Sequence, residues 1–229
     1  MIHCKRFALL LVFLFALPLV SKAQTETILA CPAEPTDMTI VYGNVVTCAI
    51  DRVGDTDYFR FSAAAGDTVT INVYSVIVSG ILNTPCFELF DPLGSTIGGI
   101  TCYPDGARID QVLTISGTYR IVVSDEGNDT TMGYGVTVLR LAPYPSATTI
   151  LLNQSVSSVI CPVGDLDAYS FSAAAGDTML INVNRLVNRI GTGIPCFDLY
   201  NSQGSALAGA CNAEGAQVIR TLASAGPRL

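Results

Sequence analysis

The sequence has no tryptophan, a single histidine and only 14% charged residues, whereas half of its 229 residues are hydrophobic. This balance excludes a disordered chain, which needs low hydrophobicity and high charge. Glycine and proline contents are ordinary, with 20 and 11 residues, so collagen-like and low-complexity chains are excluded as well. The net charge of −7 disfavours nonspecific attraction to nucleic acid, and we expect no nucleic-acid partner.

Residues 1–23 have the pattern of a secretory signal peptide. Lys5 and Arg6 precede a 14-residue apolar run at 7–20, and the small residues that follow predict cleavage after Ala23. A membrane span needs about 20 apolar residues. We therefore expect a secreted or cell-surface protein with no membrane span after signal cleavage.

Loss of the signal peptide would also remove the only histidine, His3. A mature chain without histidine cannot use Ser-His-Asp or Cys-His catalysis, and it has no histidine metal site. Its basic residues would be nine arginines against 19 acidic residues. We expect no enzyme activity.

The rest of the sequence contains an internal duplication. FSAAAGDT occurs at 61–68 and again at 171–178, an offset of 110 residues, and flanking positions match at the same offset. The second copy ends before the counterparts of two strands of the first, at 119–124 and 134–141. We therefore expect the second unit to be incomplete at its C-terminus and the chain to be a fragment of a longer protein. The predicted parts after the signal are an N-terminal segment at 24–35, a first unit at 36–141, a proline-rich linker at 142–147 and a second unit at 148–229.

Each unit is predicted to be all-β. Apolar residues alternate with polar ones, as at Val69, Ile71 and Val73, and this period is typical of half-buried strands. Gly-Asp, Asp-Pro-Leu-Gly and Asp-Gly sequences mark the turns. About eight short strands in roughly 100 residues predict a two-sheet antiparallel β-sandwich, so the fold class is a tandem pair of such domains.

Seven cysteines follow the predicted cleavage site, and none belongs to a CxxC pair. Disulfides are the default in exported proteins. Cys86 and Cys102 are equidistant from one predicted turn, and Cys196 and Cys211 are equidistant from the matching turn. Residues equidistant from a hairpin turn lie opposite each other, so two cross-strand disulfides are predicted.

A third disulfide is predicted between Cys31 and Cys48, which leaves Cys161 without a partner in the chain. Cys48 and Cys161 lie at matching places in the two units. Another pairing scheme therefore remains open, and buried free thiols are a further alternative.

Three motifs of the first unit are GDTDYFRF at 54–61, AGD at 65–67 and GTY at 117–119. Together they resemble the bacterial pre-peptidase C-terminal domain, a secreted jelly-roll-like β-sandwich. Phe59 replaces the family's usual tyrosine, which the second unit keeps as Tyr169. The resemblance implies a non-catalytic module for binding, adhesion or spacing at the cell surface or outside the cell, with an extracellular protein or polysaccharide as partner. The alternative is an accessory region, for targeting or substrate binding, of a secreted hydrolase or peptidase whose catalytic domain is not in this chain.

Repeated Asp-x-Asp pairs are the candidate metal ligands. Their carboxylate oxygens could hold Ca²⁺, with Asp51 or Asp67 as a third ligand, whereas the alternative is that they cap turns before a strand. The acidic loop 125–129 is a second candidate for Ca²⁺, with a solvated hairpin loop as its alternative. No other cofactor is expected. The paired ligands are Asp55 with Asp57, and Asp165 with Asp167.

A sugar-binding face would need exposed aromatic side chains. Without tryptophan the candidates are tyrosines, for which ordinary surface positions are the alternative. These candidates are Tyr42, Tyr74, Tyr103 and Tyr144.

Overall fold

The computed structural model describes residues 5–9, 20–21, 28–76, 83–104, 106–143, 147–160, 164–185 and 194–229. Three sequence predictions fall on positions outside these ranges: the cleavage site at Ala23, the middle of the linker at 144–146, and the unpaired Cys161. The signal peptide and the predicted part boundaries therefore stay predictions.

All regular elements of the described residues are β-strands, which confirms the all-β prediction. The N-terminal segment contains β1 (Lys5–Leu9), β2 (Val20–Ser21) and β3 (Ile28–Ala30). The next nine strands are β4 (Asp37–Thr39), β5 (Val45–Ile50), β6 (Asp57–Ala63), β7 (Thr68–Val76), β8 (Pro85–Phe90), β9 (Thr96–Cys102), β10 (Ala107–Val112), β11 (Gly117–Asp125) and β12 (Met132–Ala142). The last eight are β13 (Thr148–Thr149), β14 (Val156–Ile160), β15 (Tyr169–Ala173), β16 (Thr178–Arg185), β17 (Cys196–Tyr200), β18 (Ala206–Cys211), β19 (Ala216–Thr221) and β20 (Gly226–Arg228).

The chain forms two compact units. The first unit, built from β3 to β12, has two five-stranded sheets with the orders β10-β7-β12-β5-β3 and β4-β6-β11-β8-β9. The short pairs β3–β5 and β4–β6 are parallel, whereas β5–β12, β7–β10, β6–β11, β8–β11 and β8–β9 are antiparallel. We call this unit the first sandwich.

The core of the first sandwich follows from the period-two alternation of its strands. Phe59 and Phe61 on β6 face Ile121 and Tyr119 on β11, and all four are at most 1% exposed. The rings of Phe61 and Tyr119 stack with their centroids 5.6 Å apart. Side chains at alternate positions of both strands therefore enter one layer between the sheets.

The alternation predicted for β7 is only partly observed. Val69, Ile71 and Val73 are buried as expected, but Thr70 on the opposite face is also buried. The Nε of Arg108, on the neighbouring strand β10, donates a hydrogen bond to Thr70 Oγ1 at 3.0 Å. The long arginine side chain thus covers a threonine that the pattern placed in solvent.

The second unit, which we call the second sandwich, repeats this arrangement with two replacements. Its larger sheet has the order β19-β16-β1-β14-β2, in which β1 and β2 occupy the places that β12 and β3 have in the first sandwich. Its other strands form a three-stranded sheet, β13-β15-β20, and a separate two-stranded hairpin, β17-β18. Tyr200 N donates to Leu229 O at 2.8 Å, which connects the end of β17 to the residue after β20.

Three disulfides join described cysteines: Cys31–Cys48, Cys86–Cys102 and Cys196–Cys211. The second and third close the hairpins β8–β9 and β17–β18, where the paired cysteines lie directly opposite each other. Within the described ranges, no helix is long and apolar enough to cross a membrane.

Candidate functional site

Three carboxylates meet at one end of the first sandwich. Glu34, Asp55 and Asp57 each place a carboxylate oxygen within 4.8 Å of the other two. Among the residues that the structure describes, this is the one group of three or more acidic, histidine or cysteine side chains close enough to share a metal ion. The cluster is a candidate cation site, and it contains both aspartates that the first Asp-x-Asp pair proposed.

The segment before β4 positions Glu34. The backbone N of Thr36 donates to Glu34 Oε2 at 2.9 Å, and its hydroxyl donates to Oε1 at 2.8 Å. Thr36 is itself buried, and its carbonyl accepts a hydrogen bond from Tyr58 N at 3.0 Å. These bonds fix the glutamate beside the first residues of β6.

A tight turn and the start of a strand position the two aspartates. Asp55 N donates to Arg52 O at 3.1 Å, and Gly54 has a φ of 78°, which a residue with a Cβ rarely adopts. Asp57 is the first residue of β6. Its side chain points inward because β6 alternates and Phe59, two residues on, faces the core.

Two oxygens of the cluster are buried without a hydrogen bond from any described residue. They are Asp55 Oδ2 and Asp57 Oδ1. The other oxygens have donors: Thr56 N bonds Asp55 Oδ1 at 2.9 Å, and the Tyr134 hydroxyl bonds Asp57 Oδ2. A buried carboxylate oxygen without a partner is costly, and a cation beside it would remove that cost.

The environment of Asp57 opposes its ionisation. The pKa of Asp57 is raised from 3.8 to about 6. Burial is the largest cause, the hydrogen bond from Tyr134 opposes it, and the negative charges of Glu34 and Asp55 act in the same direction as burial. Burial and the neighbouring Asp57 charge also raise the pKa of Tyr134, so this hydroxyl remains a donor. Three acidic groups in one place favour either a bound proton or a bound cation.

Sequence reasoning missed Glu34, Thr36 and Tyr134 as parts of this site. None of them belongs to the repeated Asp-x-Asp motif. At the offset of 110 residues, the position of Glu34 is taken by Tyr144 in the second unit. The duplication therefore contained no signal for the third carboxylate.

The third ligands suggested by the sequence lie elsewhere. Asp51 is exposed and 3.6 Å from the Nε of Arg52. Asp67 is buried, but its carboxylate accepts from the Tyr42 hydroxyl at 3.2 Å and lies 3.4 Å from an Arg140 guanidinium nitrogen. Among the described residues neither aspartate belongs to the carboxylate cluster, and each lies beside an arginine.

The second Asp-x-Asp pair lacks the surroundings of the first. Asp165 is buried, and the Tyr169 hydroxyl donates to Asp167 Oδ2 at 3.5 Å. Within the described ranges no third carboxylate joins them. Calcium binding at Asp165 and Asp167 stays a prediction.

The acidic loop 125–129 shows the geometry of a capped turn. Asp125 is buried, and its Oδ2 accepts from the backbone N of Asp129 at 3.3 Å and of Thr130 at 3.1 Å. The buried aspartate thus satisfies the amides of a turn, and calcium binding by this loop stays a prediction.

The tyrosines considered for a sugar-binding face are mostly not exposed. Tyr74 is buried, and Tyr42 is partly buried against Phe61, with ring centroids 5.9 Å apart. Tyr103 is 63% exposed, and Tyr144 lies outside the described residues. The described tyrosines therefore form no continuous stacking surface.

No family model and no curated protein matches this sequence. Two of the solved structures that are similar to this chain each cover about half of it. One is the pre-peptidase C-terminal domain of a collagenase from Bacillus anthracis, with 17% identity, a TM-score of 0.37, and coverage of 47% of this chain and 99% of that one. The other is a periplasmic inhibitor of g-type lysozyme from Aeromonas hydrophila, with 16% identity, a TM-score of 0.35, and coverage of 51% and 99%. The first is the type of domain that the sequence motifs resemble.

Proposed function

We propose that this protein is a non-catalytic, exported β-sandwich repeat module whose first sandwich binds Ca²⁺ through Glu34, Asp55 and Asp57. The module serves binding, adhesion or spacing at the cell surface or outside the cell. The observation that carries the calcium site is the pair of buried oxygens, on Asp55 and Asp57, that lack a hydrogen-bond donor.

The donor chemistry favours Ca²⁺ over softer metals. All three side chains offer only carboxylate oxygens, and no histidine or cysteine joins the described cluster. Calcium takes six to eight oxygen ligands at about 2.3–2.6 Å, and it tolerates irregular arrangements. Three carboxylates supply part of this shell, and water completes it. Magnesium demands a nearly ideal octahedron, which a cluster assembled from a turn and a separate strand is less suited to provide.

A bound cation would fasten the N-terminal segment to the sandwich. Glu34 precedes β4, whose three residues pair in parallel with β6. Asp57 begins β6, and Asp55 belongs to the turn before it. Bound Ca²⁺ therefore holds the edge strand β4 against β6. This suits a module that is exported to an environment where Ca²⁺ is abundant.

The disulfides support export. Three described pairs form, and disulfides persist in oxidising compartments. For a role in binding or adhesion, we propose an extracellular protein or polysaccharide as the partner.

Thermal and chemical unfolding in Ca²⁺ or chelator test the calcium site. A ligand that binds the folded state only stabilises it by about 2.7 kcal/mol at 100 times its Kd. We expect 1 mM Ca²⁺ to raise the melting temperature of the first sandwich relative to excess EGTA, and Mg²⁺ at the same concentration to do less.

The matched variants are Asp57→Asn and Asp167→Asn, which belong to different compact units. The first should abolish the response to Ca²⁺, and the second, at the equivalent place in the other unit, should leave the response of the first sandwich intact. Equal melting curves of the wild-type chain in Ca²⁺ and in EGTA would remove the basis for the site.

A further inference from the structure

One arginine without a carboxylate partner lies on the sheet β4-β6-β11-β8-β9, on the side away from the core. Arg120 belongs to the central strand β11, where the alternation of side chains directs it opposite to the buried Tyr119 and Ile121. Within the described ranges Arg120 has no ion pair, and its Nε is buried without a hydrogen-bond acceptor. An unpaired donor of this kind is costly. It is unexpected in a chain that has 19 acidic residues against 12 lysines and arginines.

Aromatic rings from the two neighbouring strands hold the Arg120 guanidinium. Its carbon Cζ lies 4.6 Å from the ring centre of Phe90 on β8 and 5.9 Å from that of Tyr58 on β6. The Tyr58 hydroxyl accepts a hydrogen bond from the Thr56 hydroxyl at 3.3 Å, which fixes this ring. Only Nε is both buried and unbonded, so the two Nη groups of Arg120 stay accessible. Cation–π contacts thus orient the guanidinium and leave its outer edge open.

The other charges on this side of the sheet do not balance Arg120. Arg60 on β6 lies directly opposite it, and like charges at opposite positions repel. Arg60 pairs with Asp37 on β4, so its own charge is balanced. Glu88 on β8 lies opposite Val122, the next outward residue of β11, and has no ion pair with any described residue. By sheet geometry Arg120 and Glu88 are separated by roughly 8 Å between Cα atoms.

The repeated fold does not require all of these side chains. At the offset of 110 residues, Ala168 stands at the place of Tyr58, and Ser170 stands at the place of Arg60. The aromatic and cationic residues of β6 are therefore a property of the first sandwich alone. We call Tyr58, Arg60, Glu88, Phe90, Arg120 and Val122 the outer face.

We propose that the outer face binds a polysaccharide whose sugars carry carboxylates, with Arg120 holding a carboxylate and Glu88 accepting hydrogen bonds from sugar hydroxyls. The planar fork of a guanidinium matches the two oxygens of a carboxylate and forms charge-assisted hydrogen bonds. Glu88 can only accept hydrogen bonds, so it favours hydroxyl groups and repels a second carboxylate. The proposal deepens the proposed function, since it rests on the extracellular polysaccharide partner and names its chemistry.

The charge of the whole chain makes the local geometry decisive. A net charge of −7 repels polyanions in general. An acidic polymer therefore binds only if it fits the single oriented guanidinium and offers neutral groups to Glu88. Uronic acid sugars combine a carboxylate with hydroxyls, whereas an acidic polypeptide has carboxylates without hydroxyls.

The test is calorimetric titration of the full chain with oligosaccharides of hyaluronate, polygalacturonate and alginate, each compared with its carboxyl-reduced form. EGTA is present, because Ca²⁺ would bridge uronates to each other or to the calcium site. We expect at least one acidic oligosaccharide to bind. Its reduced form should bind about tenfold more weakly or worse, because the charge-assisted hydrogen bonds to Arg120 are lost. Polyglutamate should bind about as weakly as the reduced forms.

Three variants assign the binding to the outer face. Arg120→Gln should abolish it. Arg120→Lys keeps the charge but loses the planar fork, and it should bind about tenfold more weakly. The matched control is Arg220→Gln, which removes one positive charge from an exposed position on β19 and should bind like the wild type.

A fourth variant tests the selectivity. In Glu88→Gln the preference for the acidic oligosaccharide over polyglutamate should shrink, because the group that repels a second carboxylate is gone. Melting curves show whether each variant folds, and Arg120→Lys, which keeps the charge and a long apolar stem, tests the site even if Arg120→Gln does not fold.

Three results would overturn the proposal. The first is that none of the three acidic oligosaccharides binds. The second is that reduced forms or polyglutamate bind as tightly as the acidic oligosaccharides. The third is that Arg120→Lys binds like the wild type. Binding of reduced forms that does not depend on Arg120 would still support a polysaccharide partner, and the response to Ca²⁺ is measured without sugar. Failure of this site and failure of the proposed function are therefore distinguishable.

Discussion

Replacing Asp57 by asparagine should stabilise the first sandwich in the absence of Ca²⁺ at neutral pH. The Asp57 side chain is fully buried, with one oxygen bonded by Tyr134 and the other without a donor. Asparagine keeps an acceptor for Tyr134 and directs an amide toward the carboxylates of Glu34 and Asp55. The variant removes a buried charge and retains the shape of the side chain.

The size of this gain in the free energy of unfolding follows from the pKa of Asp57, which is raised from 3.8 to about 6, chiefly by burial. A carboxyl that binds its proton more tightly in the folded state stabilises that state below its unfolded pKa, and this stability is lost as the pH rises through the folded pKa. At about 1.4 kcal/mol per pH unit, the loss between pH 4 and pH 7 approaches 3 kcal/mol. The Asp57→Asn variant has no carboxyl to ionise at this position, so it does not lose this stability as the pH rises.

The assay is unfolding by urea at several pH values from 4 to 7 in EGTA, for the wild-type chain and the variant. Because the chain contains two compact units, hydrogen exchange at the β6 amides, 57–63, reports on the first sandwich alone. The difference in the free energy of unfolding between variant and wild type should increase with pH. In saturating Ca²⁺ the wild-type chain should instead have the higher free energy of unfolding, because only the wild-type chain gains the free energy of Ca²⁺ binding.

Two results would refute this reasoning. If wild type and Asp57→Asn showed the same pH dependence in EGTA, the Asp57 carboxyl would not be the group that titrates. If the variant kept the full response to Ca²⁺, the ion would not be held by this carboxylate.

Three further predictions concern the first sandwich and its counterpart. Tyr134→Phe should cost about 1–3 kcal/mol in urea unfolding, because it removes the donor to a buried oxygen of Asp57; an unchanged free energy would show that this bond contributes nothing net. Asp67→Ala should lower the free energy of unfolding by about 3–5 kcal/mol, because it breaks a buried charge pair. The equivalent Asp177→Ala removes a hydrogen bond from the backbone of Ala174 and should lower it by about 1 kcal/mol. Comparable losses for the two variants would contradict this. Cys86→Ser should cost about 3 kcal/mol by opening a loop of some 15 residues, and an unaltered urea midpoint under non-reducing conditions would argue against the disulfide's role.

The all-β fold could be predicted because its cause is local. Alternating residues such as Phe59 and Phe61 can bury one face only as a strand, and turns such as the one at Gly54 need residues that tolerate a positive φ. The hairpin disulfide Cys86–Cys102 is also a consequence of local geometry, since its two residues are equidistant from one turn.

The candidate site could be predicted only in part. Asp55 and Asp57 are neighbours in sequence and recur in the duplication, so they were visible. Glu34 and Tyr134 are separated from them by about 20 and 80 residues of chain and meet them only through the pairing of β4 with β6 and the packing of one sheet on the other. The long-range topology, and not a motif, brings these groups together.

The same division holds for the second sandwich. The sequence by itself determined that residues 148–229 repeat the first unit as far as the counterpart of Gly117. Only the tertiary structure decided that Lys5–Leu9 pairs with β14 and β16, at the place that β12 has between β5 and β7 in the first sandwich. The physical reason is that strand pairing satisfies the backbone N–H and C=O groups of any sequence. Which segment pairs at an open sheet edge therefore depends on which parts of the folded chain lie close to that edge.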